Sequence, residues 1–262
     1  NLFQISLEKI DWQHDDKILL NNCLILSQKE YPVASFKNRS DFKGVFAPNL
    51  AVMSQDLFRY NDSLECVFSP NVTKIEYGVF YMCRKLETVD FPKVEHIGSH
   101  AFTASMVKHL NLPSLRIIDN YALYLCNQLQ IFRAAKLTQA GCILFQNLPS
   151  LELLVITSLK TIEDFFLKCC SSLTTVVAPL LQDFKCECGC CPKCTGALEK
   201  DQRKLTMQKK LADLQEDQKR LFQHKQELTE KGLKSKECIR NVIEKSYGTE
   251  EIDDEIVESG GE

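Results

Sequence analysis

Between Phe42 and Phe184 the chain repeats one pattern seven times, with starts at Phe42, Leu64, Leu86, Val107, Leu129, Leu151 and Leu173. The spacing is 22 residues with a single step of 21. A fixed period of this size marks a solenoid, because no unit of that length can bury its apolar face alone and each must stack on the next. Few other architectures satisfy that condition.

The phase can be followed column by column. Three residues after each start stand Val45, Val67, Val89, Leu110, Phe132, Leu154 and Val176; eight after it stand Leu50, Val72, Val94, Leu115, Leu137, Leu159 and Leu181. Eleven after it come Met53, Ile75, Ile97, Ile118, Ala140, Ile162 and Phe184. Pro48, Pro70, Pro92, Pro113 and Pro179 share the sixth position, where a missing N–H ends ladder pairing. An apolar pair such as Val79 and Phe80 closes each of the first six units, and Cys83, Cys126 and Cys170 share a later column. Each unit therefore reads as a short extended piece, a stop, a second apolar turn and a compact closing turn. Stacking lays the extended pieces side by side as a parallel sheet, and the predicted fold class is an α/β repeat solenoid.

On these residues the segment 42–184 resembles the leucine-rich repeat proteins of the BspA-like type, whose units run Leu-x-x-Val-x-Leu-Pro-x-Val-x-x-Ile-Gly-x-x-Ala-Phe-x-x-Cys-x-x. The unit from Leu86 to Met106 matches best, with Val89, Phe91, Pro92, Val94, Ile97, Gly98, Ala101 and Phe102; it lacks the cysteine and is one residue short. The units from Leu129 and Leu151 lack the proline, and Gly98 and the shifted Gly78 are read as supplying glycine. The resemblance implies a curved solenoid used for recognition, in proteins often found as surface antigens or adhesins of bacteria and protists. It brings no catalytic residues.

Around the repeats the sequence divides into an N-terminal cap, 1–41, with a degenerate unit near Leu24-Ile25-Leu26; a cysteine-rich cap, 185–196; a helical segment, 197–247; and an acidic tail, 248–262. Met207, Leu214, Leu221 and Leu228 recur at sevens, but Gln218 and Lys225 occupy the matching seam positions. A half-polar seam predicts either a weak coiled coil, giving a homodimer or docking a partner helix, or a solvated single helix. The tail carries seven acids and no base, so it repels itself and disorder is expected.

Net charge of −3 excludes a whole-chain polycation that grips nucleic acid without specificity. No apolar run reaches the roughly 18 residues of a membrane span. Glu8, Asp11, Asp15 and Asp16 break any secretory core in the opening residues. A cytoplasmic location is expected on the sequence as it stands, and a surface or secreted one if a leader precedes Asn1.

Thirteen cysteines need two explanations. Those of the repeated column read as reduced core thiols. Cys186, Cys188, Cys190, Cys191 and Cys194 instead crowd nine residues, and Cys191 with Cys194 has the spacing at which one turn aims two thiolates at a tetrahedral metal. Cys186, Cys188, Cys191 and Cys194 are the candidate ligands of a structural zinc; a disulfide-tied cap and an acylated or simply exposed cluster are the alternatives. No other cofactor is expected.

In each strand the positions between the inward residues face outward. One outward line reads Phe46, Phe68, Asp90, Asn111, Arg133, Val155 and Val177; its neighbour reads Gly44, Cys66, Thr88, His109, Ile131, Leu153 and Thr175. Apolar ends thus flank a polar middle. Solvent-facing apolar side chains on a sheet mark a contact site, and Phe46, Phe68, Asp90, His109, Asn111, Ile131, Arg133, Leu153 and Val155 are the candidate partner-binding residues. The five histidines show no ligand spacing beyond His96 and His100, and there is no phosphate loop or nucleophile elbow. The expectation is a non-catalytic scaffold that binds a protein through the concave face. Its rivals are a secreted or surface-attached adhesin with oxidised cysteines and a zinc-dependent regulatory module.

Overall fold

The computed structural model describes residues 17–20 and 22–195, all within one compact unit, Trp12–Leu214. The predicted helix at 197–247, the homodimer built on it and the acidic tail lie outside the described residues, as do residues 1–16 of the predicted cap.

Fourteen short strands follow in chain order among the described residues: β1 (Lys17–Leu20), β2 (Cys23–Leu26), β3 (Gly44–Phe46), β4 (Val52–Met53), β5 (Cys66–Phe68), β6 (Lys74–Ile75), β7 (Thr88–Asp90), β8 (His96–Ile97), β9 (His109–Asn111), β10 (Ile117–Ile118), β11 (Ile131–Arg133), β12 (Gln139–Ala140), β13 (Leu153–Val155) and β14 (Thr175–Val177). No helix occurs among these residues, so within them the α/β expectation is corrected to a parallel β-solenoid. The closing half of each unit is a run of tight turns, too short and too bent for helical hydrogen bonds to propagate.

The inward columns stack as the period requires. β2 pairs parallel with β3 in the register Leu24↔Val45, which makes 23–41 a further, degenerate rung, and β1 returns antiparallel along its edge. Val45, Val67, Leu110, Phe132 and Leu154 are buried, as are the columns from Leu50 to Leu159 and from Met53 to Ile118. Phe36, Phe58, Phe80 and Phe102 form a face-to-face ladder with ring centroids 5.6, 5.8 and 5.2 Å apart. Full burial of such side chains contributes on the order of 2 kcal/mol each, which is where the stack finds its cohesion.

Three features go beyond the single expected sheet. The second apolar turn of each unit is itself extended, so β4, β6, β8, β10 and β12 form their own parallel sheet. The first sheet is interrupted between β7 and β9. Elsewhere a strand pair is flanked by two bonds, as where Thr88 N–H donates to Glu65 O and Ser69 N–H to Asp90 O; between β7 and β9 Lys108 N–H reaches Glu87 O at 3.4 Å. The break coincides with the unit one residue short, which brings β9 in early. Thirdly, Gly141 also occupies the glycine column: a Cβ there would lie 2.4 Å from Asn120 N, and at Gly98 2.8 Å from the Glu76 carbonyl carbon. The rungs approach too closely at both points for a side chain.

The closing turns carry two left-handed columns. Fourteen residues after the starts, Asp56, Gly78, His100, Tyr121, Ile143 and Phe165 have positive φ, and eighteen after them Tyr60, Met82, Ala104, Leu125, Asn147 and Cys169 do too. Left-handed backbone costs a non-glycine residue roughly 1–2 kcal/mol. What holds it is stacking: Asp56 N–H donates to Tyr77 O at 2.9 Å, Met82 N–H to Thr103 O at 2.8 Å and Ala104 N–H to Tyr124 O at 2.8 Å, each in the next unit.

The repeated cysteines work in the same turns. Cys83 donates to Phe58 O at 3.1 Å, Cys126 to Phe102 O at 3.0 Å and Cys170 to Phe145 O at 2.7 Å, always to the preceding unit's aromatic position. Burial pushes each of these thiols up to about 12.

Candidate functional site

Strand register assembles the outward residues in two groups, separated at the β7–β9 break. Phe46, Phe68 and Asp90 stand on neighbouring strands of the first group. In the second, Asn111, Arg133 and Val155 form one row and His109, Ile131 and Leu153 the next. Asp90 and Asn111 are exposed, while Phe68, His109, Ile131, Arg133 and Val155 are half-buried. Two residues depart from the expectation that these positions face solvent. Phe46 and Leu153 are each only 7 % exposed. Phe46 stands in register between Ile25 and Phe68, and Leu153 between Ile131 and Thr175.

A second surface escaped the sequence reading. Arg59, Tyr60, Tyr77, Tyr81, His100, Tyr121 and Tyr124 cluster on the turn side. The Arg59 guanidinium lies 4.3 Å over Tyr81 and 4.9 Å over Tyr60, and His100 stacks on Tyr121 at 5.0 Å. Asp56 fixes Arg59 through an ion pair of 3.0 Å. Burial and the neighbouring Arg59 charge hold His100 below its ordinary titration range. The available signal was position, since five of the chain's seven tyrosines fall 13, 14, 17 or 18 residues after a start.

At the C-terminal end the four predicted cysteines converge. Cys186, Cys188, Cys191 and Cys194 have all their sulfurs within 4.8 Å of one another. Cys191 to Cys186 is 3.6 Å, Cys191 to Cys194 is 3.6 Å and Cys188 to Cys194 is 3.7 Å. The Cys-x-x-Cys turn is closed by Cys194 N–H and Thr195 N–H, both donating to Cys191 O at 3.0 Å. Burial opposes ionisation of Cys188, but the backbone N–H groups of Cys169, Cys190 and Cys191 outweigh it and bring that thiol down to about 5. Burial pushes Cys186 and Cys191 up. Cys190, fully exposed, sits 3.7 Å from Cys188 but outside the convergent set, and the Cys188 sulfur raises it to about 11.

Stacked parallel rungs with these inward columns define a leucine-rich repeat solenoid. Residues 51–174 belong to the BspA type of leucine-rich repeat region, in six copies. Among solved structures, a leucine-rich cell surface protein of Faecalibacterium prausnitzii is 15 % identical with a TM-score of 0.45, over 66 % of this chain and 68 % of that one. A leucine-rich repeat protein of T. pallidum is 16 % identical, TM-score 0.37, over 66 % and 83 %. One from Bacteroides ovatus is 15 % identical, TM-score 0.35, and there the match covers 61 % of this chain and 56 % of the other. None of the curated proteins matches.

Proposed function

We propose that the chain is a non-catalytic scaffold that takes a protein partner on the outward face of its strands. The observation that carries this reading is the mixed row on β9, β11 and β13, where exposed Asn111 and half-buried Arg133 and Val155 stand in register beside His109 and Ile131. Interfaces of modest affinity combine accessible apolar area with charges able to set orientation, and this face offers both on a rigid ladder. Phe68 and Asp90 extend it across the break; Phe46 and Leu153 support it from beneath rather than making contact.

Site-specific photo-crosslinking in cells that make the protein tests the assignment. A crosslinker at Asn111 is expected to capture a discrete partner, and Arg133→Glu in the same background to abolish capture. Equal capture from Tyr77 on the turn side, or capture indifferent to Arg133→Glu, would overturn the strand-face reading. The adhesin alternative is separated by non-reducing mass analysis of the native protein, in which bridges among residues 186–194 would favour it.

A further inference from the structure

The last rung is built differently from the others. Fifteen and sixteen residues after the start, each of the first six units carries the apolar pair that fills its interior, from Leu57 and Phe58 to Phe166 and Leu167; the seventh has Cys188 and Gly189. The solenoid still has to end on something that excludes water from its core. Phe184 joins that core, its ring 6.0 Å from Phe166 and 5.5 Å from the Lys193 ammonium, and Lys193 is ion-paired with Asp183. Cys191 is fully buried there, and Cys186, Cys188 and Cys194 pack against the same cluster.

We infer that Cys186, Cys188, Cys191 and Cys194 bind one zinc ion, and that the ion with its four sulfurs takes the place of the missing apolar pair in the final rung. Sulfurs held at ~2.3 Å from a tetrahedral zinc stand ~3.8 Å apart. The closest pairs here are at 3.6 to 3.7 Å, and all four sulfurs lie within 4.8 Å of one another, with Cys191 close to two of the others at once, instead of pairing two by two. A disulfide would need ~2.05 Å and would use the thiols in pairs. Binding changes no oxidation state: each ligand still carrying a proton releases it to solvent as its sulfur–metal bond forms. Thiolate donors in tetrahedral array select zinc over the hard cations magnesium and calcium. Gly189, at φ +74 between Cys188 and Cys190, places a left-handed residue within the ligand segment, a conformation glycine adopts without strain.

The test uses the full chain, purified reduced, loaded with zinc and dialysed. Mass spectrometry of the metal content should find about one zinc per chain in the wild type and in Cys190→Ser, and at least about tenfold less in Cys191→Ser and Cys194→Ser. Because those two variants can fail to fold, the wild type is also loaded with cobalt, where intense sulfur-to-metal charge-transfer and tetrahedral bands are expected. Chelation of the zinc should speed amide exchange in 173–195 about tenfold or more while leaving 42–111 unchanged. Under a tenth of an ion per chain in the reduced wild type, an octahedral cobalt spectrum, or equal losses in Cys190→Ser and Cys194→Ser would overturn the assignment. None of these readouts involves partner capture, so the strand-face reading stands or falls separately.

Discussion

A thiol in the closing column does two jobs at once, filling an interior slot and adding a hydrogen bond to the carbonyl of the aromatic residue one unit back. Cys126 is fully buried and holds Phe102 O at 3.0 Å. Removing the sulfur leaves a small void and takes one of two hydrogen bonds from a carbonyl that Ser105 N–H still reaches at 2.9 Å, which costs about 0.5–1.5 kcal/mol. Cys126→Ala is therefore expected to lose stability in that range by urea unfolding, whereas Cys126→Ser should keep most of it, because Ser105 already occupies the same column one rung earlier. A serine as damaging as the alanine would show that volume alone sets the effect. The period revealed these cysteines as interior, but a hydrogen bond to a residue about 24 positions away leaves no mark in the sequence.

At the scale of the element, the closing turns are where backbone conformation and residue type disagree. Ala104 sits at φ 58 and is half-exposed, while Ala101, three residues earlier, is fully buried and outside the left-handed columns. Glycine relieves roughly 1–2 kcal/mol of left-handed strain and costs about 0.5–1 kcal/mol of unfolded-state entropy. Ala104→Gly should thus stabilise by about 0.5–1 kcal/mol and Ala101→Gly should destabilise, both read from denaturant midpoints; a loss at 104 would mean the strain is absent. These columns were invisible beforehand because Gly78 is the only glycine in them, so turn chemistry had no signature to read. The second sheet was hidden for a related reason, since two-residue strands are shorter than any alternation that could be recognised.

For the molecule as a whole, a solenoid is a one-dimensional stack, and its rungs need not be equally coupled. The β7–β9 break interrupts the strand ladder while the interior columns run through it. Hydrogen exchange should report this directly, with the amides of 109–111 on β9 exchanging about tenfold faster than those of 131–133 on β11, whose ladder is complete on both sides. Equal protection would mean that core packing alone holds the rungs together. The same one-dimensionality makes the end a point of weakness, which is why a cysteine knuckle in place of the last apolar pair matters for the whole stack.

What the sequence determined by itself was what is tied to the period, namely the stacked rungs from Phe42 onward, the inward columns and the family, together with the crowding of Cys186, Cys188, Cys191 and Cys194 in one short segment. Those follow from nearest-neighbour stacking, in which one local pattern repeated in phase dictates the core. Tertiary structure alone decided which outward residues reach solvent, because Phe46 and Leu153 are buried although their positions lie on the outward rows. It also decided the ladder break, the left-handed columns, the tyrosine cluster around Arg59 and the approach of four sulfurs to within 4.8 Å of one another. Each of these depends on distances between rungs, and distances are set by how side chains from different units fit, which no single unit encodes.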